Sequence, residues 1–275
     1  MSVPCAMADF VSYVESLPPL LDRIGAREEL AKQQRILLKP NLVNLSPFPV
    51  TLPVAAMAVL VDYVLSCSKA ELLIGEGTGE LQVNSIEVLR HHGYAELARE
   101  KGIKLVDLNE AENVKLKRPD CRVFPEFYLP RLALESYIVS FPVLKAHSLA
   151  GVTLAMKNMM GFPSHHHYRQ GGAWRKSFFH RQMQRSIFEL NLYRKPDLSI
   201  IDASVGLAEY HLGGPTCQPP VNKLVAGFDP VAVDACGAGL LGVDWRDIEH
   251  IRLADGVLGQ AELADISPLR NTSPW

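Results

Sequence analysis

"ESYIVSFPVLKAHSLAGVTLAMKNMMG", residues 135–161, decides how this chain folds. Its first part, Glu135 to Leu144, is a nearly continuous run of branched and aromatic residues. Such a run is too short to span a bilayer and favours a strand buried on both faces. The run ends in Lys145 and His147, and a second apolar stretch carrying Lys157-Asn158 follows. "GVTLAMKNMMG" (151–161) reads as the start of a helix, with Thr153, Lys157 and Gly161 on one face at i, i+4 spacing. Leu154, Ala155, Met156, Met159 and Met160 make that helix apolar nearly all round, hence buried. A lysine there either snorkels to water or points into a polar cavity. If it is desolvated, its pKa falls and it can act as base, nucleophile or anion anchor.

The same alternation extends outward. Strands are expected at "RILLKP" (35–40), "AELLIG" (70–75), "IKLVDL" (103–108), "PDLSIIDAS" (196–204) and "NKLVAGFD" (222–229). Helices are expected at 53–67, at 85–102 with a break at Gly93, at 177–195, at 230–242 and within 245–259. Residues 113–134 read as a β excursion, and the first thirty residues as amphipathic helix interrupted by Pro18-Pro19. Short apolar strands separated by helices define the fold class: α/β, with a mixed, mainly parallel sheet covered by helices on both faces. One domain is expected over 1–275, with an N-terminal helical segment at 1–34.

Composition narrows the function classes. Of the 275 residues, 48% are hydrophobic, enough for a sizeable core, and the formal charge of −2 comes without a basic block. Nucleic acid is therefore not an expected partner. "MSVPCAMADF" lacks the basic and apolar regions of a signal peptide, and no apolar run reaches spanning length, so no membrane is expected. Cys5, Cys67, Cys121, Cys217 and Cys236 are scattered and form no Cys-x-x-Cys pair. No disulfide framework or cysteine-built iron–sulfur cluster is therefore expected, and a cytoplasmic protein is.

Chemistry-bearing residues sit at the strand exits: Lys39 and Asn41, Glu76 and Glu80, Asp107, Lys145 and His147, Asp202, and Asp229. In an open α/β sheet ligands bind beyond the carboxyl ends of the strands, so parallel strands would collect these groups along one edge. "GEGTGE" (75–80) is too acidic for a phosphate loop, but Glu76 could hold a divalent cation with Asp202, or take a proton. "GFPSHHHYRQGGAWRK" (161–176) is the loop best suited to function, and in an extended segment His165 and His167 could chelate a metal. Three adjacent solvated histidines are the plainer reading. His180 reads as a helix-surface histidine able to turn toward the same edge. In "HLGGPTCQPP" (211–220), the turn at Gly213, Gly214 and Pro215 could press backbone N–H groups on a ligand or be a simple crossover.

"LLKPNLV", "KAHSLAGVTLAMKNMMG", the "FFH" ending at 180, "PDLSIIDAS" with the later "GGP", and "GFDPVAVDA" together resemble the domain-of-unknown-function family 362, over roughly residues 35–270. The positions that match the pattern are Lys39, Asn41, Lys145, His147, Lys157, Asn158, His180, Asp202, Asp229 and Asp234. The family's biochemistry is largely unassigned, and many members carry a ferredoxin-like module that this chain lacks. The reading that results is an enzyme acting on a small anionic metabolite. Lys145, His147, Lys157 and Asp202 are the candidate catalytic residues. Lys39, Asn41, Asn158, His180, Gly214 and Asp229 are the candidate ligand-binding residues, and Glu76 and Asp202 the candidate metal ligands. His147 is expected to exchange a proton near neutral pH. The other reading is a non-catalytic binding or delivery protein for a redox or metal-cofactor system, with a redox partner protein.

Overall fold

The structure, a computed structural model, describes residues 5–171 and 174–263. Gly172 and Ala173 of the 161–176 loop, and the ends of the 1–34 and 35–270 segments, lie outside those residues.

Every apolar strand read from the sequence forms. With those not foreseen, the strands in chain order are β1 (Ala6–Asp9), β2 (Arg35–Pro40), β3 (Glu71–Glu76), β4 (Lys104–Asp107), β5 (Asn113–Lys117), β6 (Glu126–Pro130), β7 (Tyr137–Phe141), β8 (Val143–His147), β9 (Gly151–Thr153), β10 (Leu198–Leu207) and β11 (Lys223–Gly227). The main sheet runs β1-β11-β10-β7-β2-β3-β4, with β8 and β9 attached through β10. Strands β10, β7, β2, β3 and β4 are mutually parallel, and β11 is antiparallel to both its neighbours. β5 and β6 form a separate antiparallel pair, the excursion expected at 113–134.

The helices are α1 (Tyr13–Arg23), α2 (Ala26–Ala31), α3 (Val54–Cys67), α4 (Ser85–His91), α5 (Tyr94–Lys101), α6 (Arg131–Glu135), α7 (Ala155–Asn158), α8 (His165–Tyr168), α9 (Met183–Tyr193), α10 (Pro230–Leu240) and α11 (Glu249–Ala254). Alternation along the strands divides the core. Ile36, Leu38, Ile74 and Val139 face one way, against Leu17 and Leu20 of α1, Met57 and Leu60 of α3, and Leu89 and Leu97 of α4 and α5. Leu37, Leu73 and Ile138 face the other way, with Phe127 and Phe179. Ile201 and Val225 share that second face with Ile187, Val231 and Ile251, from α9, α10 and α11. Period-two side chains buried on both sides are what makes these strands read as unbroken apolar runs.

Three local expectations change. The run 135–144 is two strands, because Pro142 offers no N–H to a ladder. β10 follows the step, pairing with β7 through Leu198 and Ser199 and with β8 at Asp202 and Leu207. The stretch 151–161 is not one helix. β9 pairs antiparallel with β8, placing Thr153 opposite Lys145, and only then does the one-turn α7 begin, followed by a 3-10 turn at Met159–Gly161. The N-terminal thirty residues contain the edge strand β1 ahead of α1. Pro18 and Pro19 lie inside α1; the carbonyls they leave without donors belong to Val14 and Glu15, which are exposed to water.

Candidate functional site

The parallel strands deliver their carboxyl ends to one edge, and a cavity of about 240 Å³ opens there. Its wall includes Lys39, Asn41, Glu76, Lys145, His147, Lys157, Asn158 and His180. Convergence follows from strand order: β2 lies between β3 and β7, and β8 continues beyond β7. Asp202, Gly214 and Asp229 are not part of that wall. Asp202 accepts hydrogen bonds from the Tyr13 hydroxyl (2.6 Å) and from Ser204 Oγ (2.6 Å). Asp229 caps α10 through the N–H groups of Val231 and Ala232. The Glu76–Asp202 pair expected for a metal is therefore not assembled.

The buried cations differ in how they are occupied. Lys39 is sealed from water; its ammonium meets Glu76 at 2.7 Å and donates to the Pro40 carbonyl (2.6 Å) and Asn158 Oδ1 (3.2 Å). Glu76 also accepts from the N–H groups of Leu42 and Gly77, so its oxygens are committed to the protein. Gly77 and Gly161 permit this packing. A Cβ on Gly161 would stand 2.3 Å from Lys39 Cε, and one on Gly77 2.1 Å from the Gly161 carbonyl oxygen. Lys145 donates to Asn41 Oδ1 (2.6 Å) and the Val50 carbonyl (2.7 Å). Burial first, then neighbouring Lys157, drives its pKa well down.

Lys157 has neither a hydrogen-bond nor an ion-pair partner among the described residues. Its backbone is fixed by Asp234, whose buried carboxylate accepts the N–H groups of Ala155 (2.7 Å) and Met156 (3.0 Å) at the start of α7. Burial lowers the Lys157 ammonium to about 8. A desolvated, uncompensated ammonium facing a cavity is a group prepared for an anion.

His147 departs from the expected proton carrier. Its Nδ1 accepts the N–H groups of Leu149 (3.0 Å) and Ala150 (3.2 Å), so in the neutral ring the proton sits on Nε2. Burial, then Lys157, presses its pKa far below the usual histidine range. It therefore acts as a neutral N–H donor near neutral pH. Its ring stacks on that of His211, 3.8 Å between centroids, and burial holds His211 down at about 3. Thr153 Oγ1 and His211 Nδ1 are shut off from water and lack partners. Unpaired polar atoms around one cavity are candidate ligand contacts.

Sequence reasoning missed Lys176, Trp174, Tyr210 and the orientation of His211, all of which line the cavity. Lys176 donates to the carbonyls of Gly77 (2.7 Å), Gly161 (2.8 Å) and Met160 (3.2 Å). It ties the 161–176 loop to the exit of β3, a long-range contact with no local signature. Glu110, His165 and His166 are the only group of three or more metal-ligating side chains with mutually close ligand atoms among the described residues.

Fold and cavity define an α/β protein with a lysine-rich cavity at the carboxyl edge of a mixed sheet. The model of the family described as "Domain of unknown function (DUF362)" matches residues 36–239, and the chain belongs to that family. The structure of the lactate racemase apoprotein from Thermoanaerobacterium thermosaccharolyticum is similar in fold, with a TM-score of 0.55 at 12% identity. The match covers 85% of this chain and 56% of that one, so this chain spans a little over half its length. No curated protein sequence matches the chain significantly. No helix among the described residues is long and apolar enough to cross a membrane.

Proposed function

We propose that this protein is an enzyme acting on a small anionic metabolite bound in the lysine-rich cavity. The observation that carries this reading is the unpartnered ammonium of Lys157. Lys39 is neutralised by Glu76, whereas neither Lys145 nor Lys157 has a carboxylate within ion-pair distance among the described residues. An anionic head group between them would supply the missing charge. His147 Nε2–H and the Thr153 hydroxyl would complete its hydrogen bonds. Lys39 and Asn158 hold the wall in place, and Asn41 orients Lys145.

Lys157, with a pKa of about 8, is the free side chain suited to give or take a proton; Lys176, at about 7, is already tied to three carbonyls. The cavity's two carboxamides and its pressed-down histidines are not suited to it. That shortage of proton-transfer groups favours the second reading, a binding or delivery protein using the same site, with a partner protein that would receive the ligand. A divalent metal at Glu76 is not supported, since Lys39 and two backbone N–H groups already occupy that carboxylate.

The test is calorimetric titration of the tag-free protein with inorganic phosphate and with small carboxylates. Lactate is included because the solved structure of similar fold is a lactate racemase apoprotein. Saturable binding that Lys157→Met abolishes supports the anion site; absence of binding by every probe, or binding indifferent to Lys157→Met, overturns it. Solvent-deuterium incorporation into a bound carboxylate, lost in Lys157→Met, separates the enzyme from the binding protein.

A further inference from the structure

The 161–176 loop carries a second site that the cavity does not use. Glu110 follows β4, and His165 and His166 begin α8; their ligand atoms lie within 4.8 Å of one another. None of the three lines the anion cavity. His166 Nε2 is 3.2 Å from each Glu110 oxygen, and the two histidine rings are 4.1 Å apart. The histidine pair differs from the one an extended segment would offer, because the loop turns helical. His167 is instead stacked on Tyr128 at 3.9 Å.

We propose that Glu110, His165 and His166 form a divalent transition-metal site, with Zn²⁺ its simplest occupant, that clips the loop to the exit of β4. Two imidazoles and one carboxylate match the borderline-soft ligand preference of Zn²⁺ rather than that of Mg²⁺ or Ca²⁺. Neither ring nitrogen of His165 has a partner among the described residues, and its Nδ1 is shut off from water. Buried unpaired nitrogen is disfavoured unless something engages the ring.

The scaffold beneath the triad is fixed. Ser164 Oγ accepts the His166 N–H and donates to the Asn109 carbonyl (2.5 Å), joining the two halves of the site through one buried hydroxyl. Glu110 N–H is held by the Asp107 carbonyl (3.2 Å). The exposed Glu110 and His166 side chains have freedom to draw in from the present separation to the 2.0–2.2 Å metal–ligand bonds zinc requires. A solvent molecule would fill the fourth position.

The test uses the full chain without a histidine tag, stripped by chelator. Co²⁺ titration followed by visible absorption, with Zn²⁺ competition, should show one saturable equivalent with tetrahedral-type bands. His166→Ala and Glu110→Ala should each weaken binding at least tenfold. His91→Ala, in a separate surface histidine pair, and Lys157→Met should leave it unchanged. Absence of saturable binding, or undiminished binding in a folded His165→Ala/His166→Ala variant, overturns the proposal. Since Lys157→Met reports on the anion site alone, the two sites fail or stand independently.

Discussion

Lys157 concentrates the energetics of the cavity in one side chain. Its ammonium has a pKa of about 8 in the folded protein against 10.5 for the free side chain. Below pH 8 it is charged in both folded and unfolded states, and the full desolvation penalty opposes folding. Between pH 8 and 10.5 the unfolded state binds more protons, so stability rises with pH, by up to about 3 kcal/mol. The ligand-free protein should therefore gain stability over that window in denaturant titrations, and Lys157→Met should reduce the rise, leaving the share of Lys145 and Lys176, whose pKa values burial also lowers. At pH 7 Lys157→Met should stabilise the free protein by roughly 1–3 kcal/mol while removing anion binding. Anion affinity should move the opposite way, declining as pH passes 8, because the deprotonated amine no longer attracts the ligand; calorimetry at pH 7 and pH 9 reads this directly.

Two elements position that side chain. α7 is only one turn long and takes its N-terminal hydrogen bonds from Asp234, on the buried face of α10. Asp234→Ala would leave two buried N–H groups without acceptors, a loss of about 2–4 kcal/mol, and should weaken anion binding as Lys157 loses its fixed backbone. Chemical denaturation together with phosphate titration checks both effects. The turn after α7 must pass Lys39 closely enough that only glycine fits at 161. Gly161→Ala is expected to destabilise the protein by about 1–3 kcal/mol by forcing Lys39 and Glu76 apart, measurable as a lowered denaturation midpoint. This element is also where sequence periodicity misleads. The i, i+4 spacing of Thr153, Lys157 and Gly161 mimics a helix face, yet a hairpin places Thr153 opposite Lys145. Thr153 and Lys157 still line one cavity, so the residues were identifiable although the element joining them was not.

Across the whole molecule, the N-terminal segment is part of the sheet and its cover. β1 adds an edge strand to β11, and α1 contributes Leu17, Leu20 and Leu21 to the core over β2 and β3. The Tyr13 hydroxyl also satisfies Asp202, a carboxylate that burial pushes up in pKa. Removing residues 1–25 would expose those three leucines' cavity and free Asp202. Each fully buried leucine contributes about 2 kcal/mol, so the loss approaches the stability of a typical domain. The truncated chain should not show a cooperative thermal transition by circular dichroism; a retained transition would mean the segment is an appendage.

Several features were determined by the sequence alone. Apolar runs such as Ile36–Leu38 and Leu72–Ile74 can be buried on both faces only inside a helix-covered, mainly parallel sheet, and polar residues must follow where such strands leave the core. Lys39, Glu76 and Lys145 were legible for that reason. Tertiary structure decided what those groups do. Strand order brought three separate exits to one cavity; Glu76 was used to neutralise Lys39; and His147 was locked as a donor by backbone N–H groups two and three residues on. In the chain Asp202 read as a catalytic residue and metal ligand, Asp229 as a ligand contact, and Asp234 only as a position matching the family pattern. One meets Tyr13, one caps α10 and one holds α7, because charge and hydrogen-bond occupancy depend on neighbours that only the folded chain supplies.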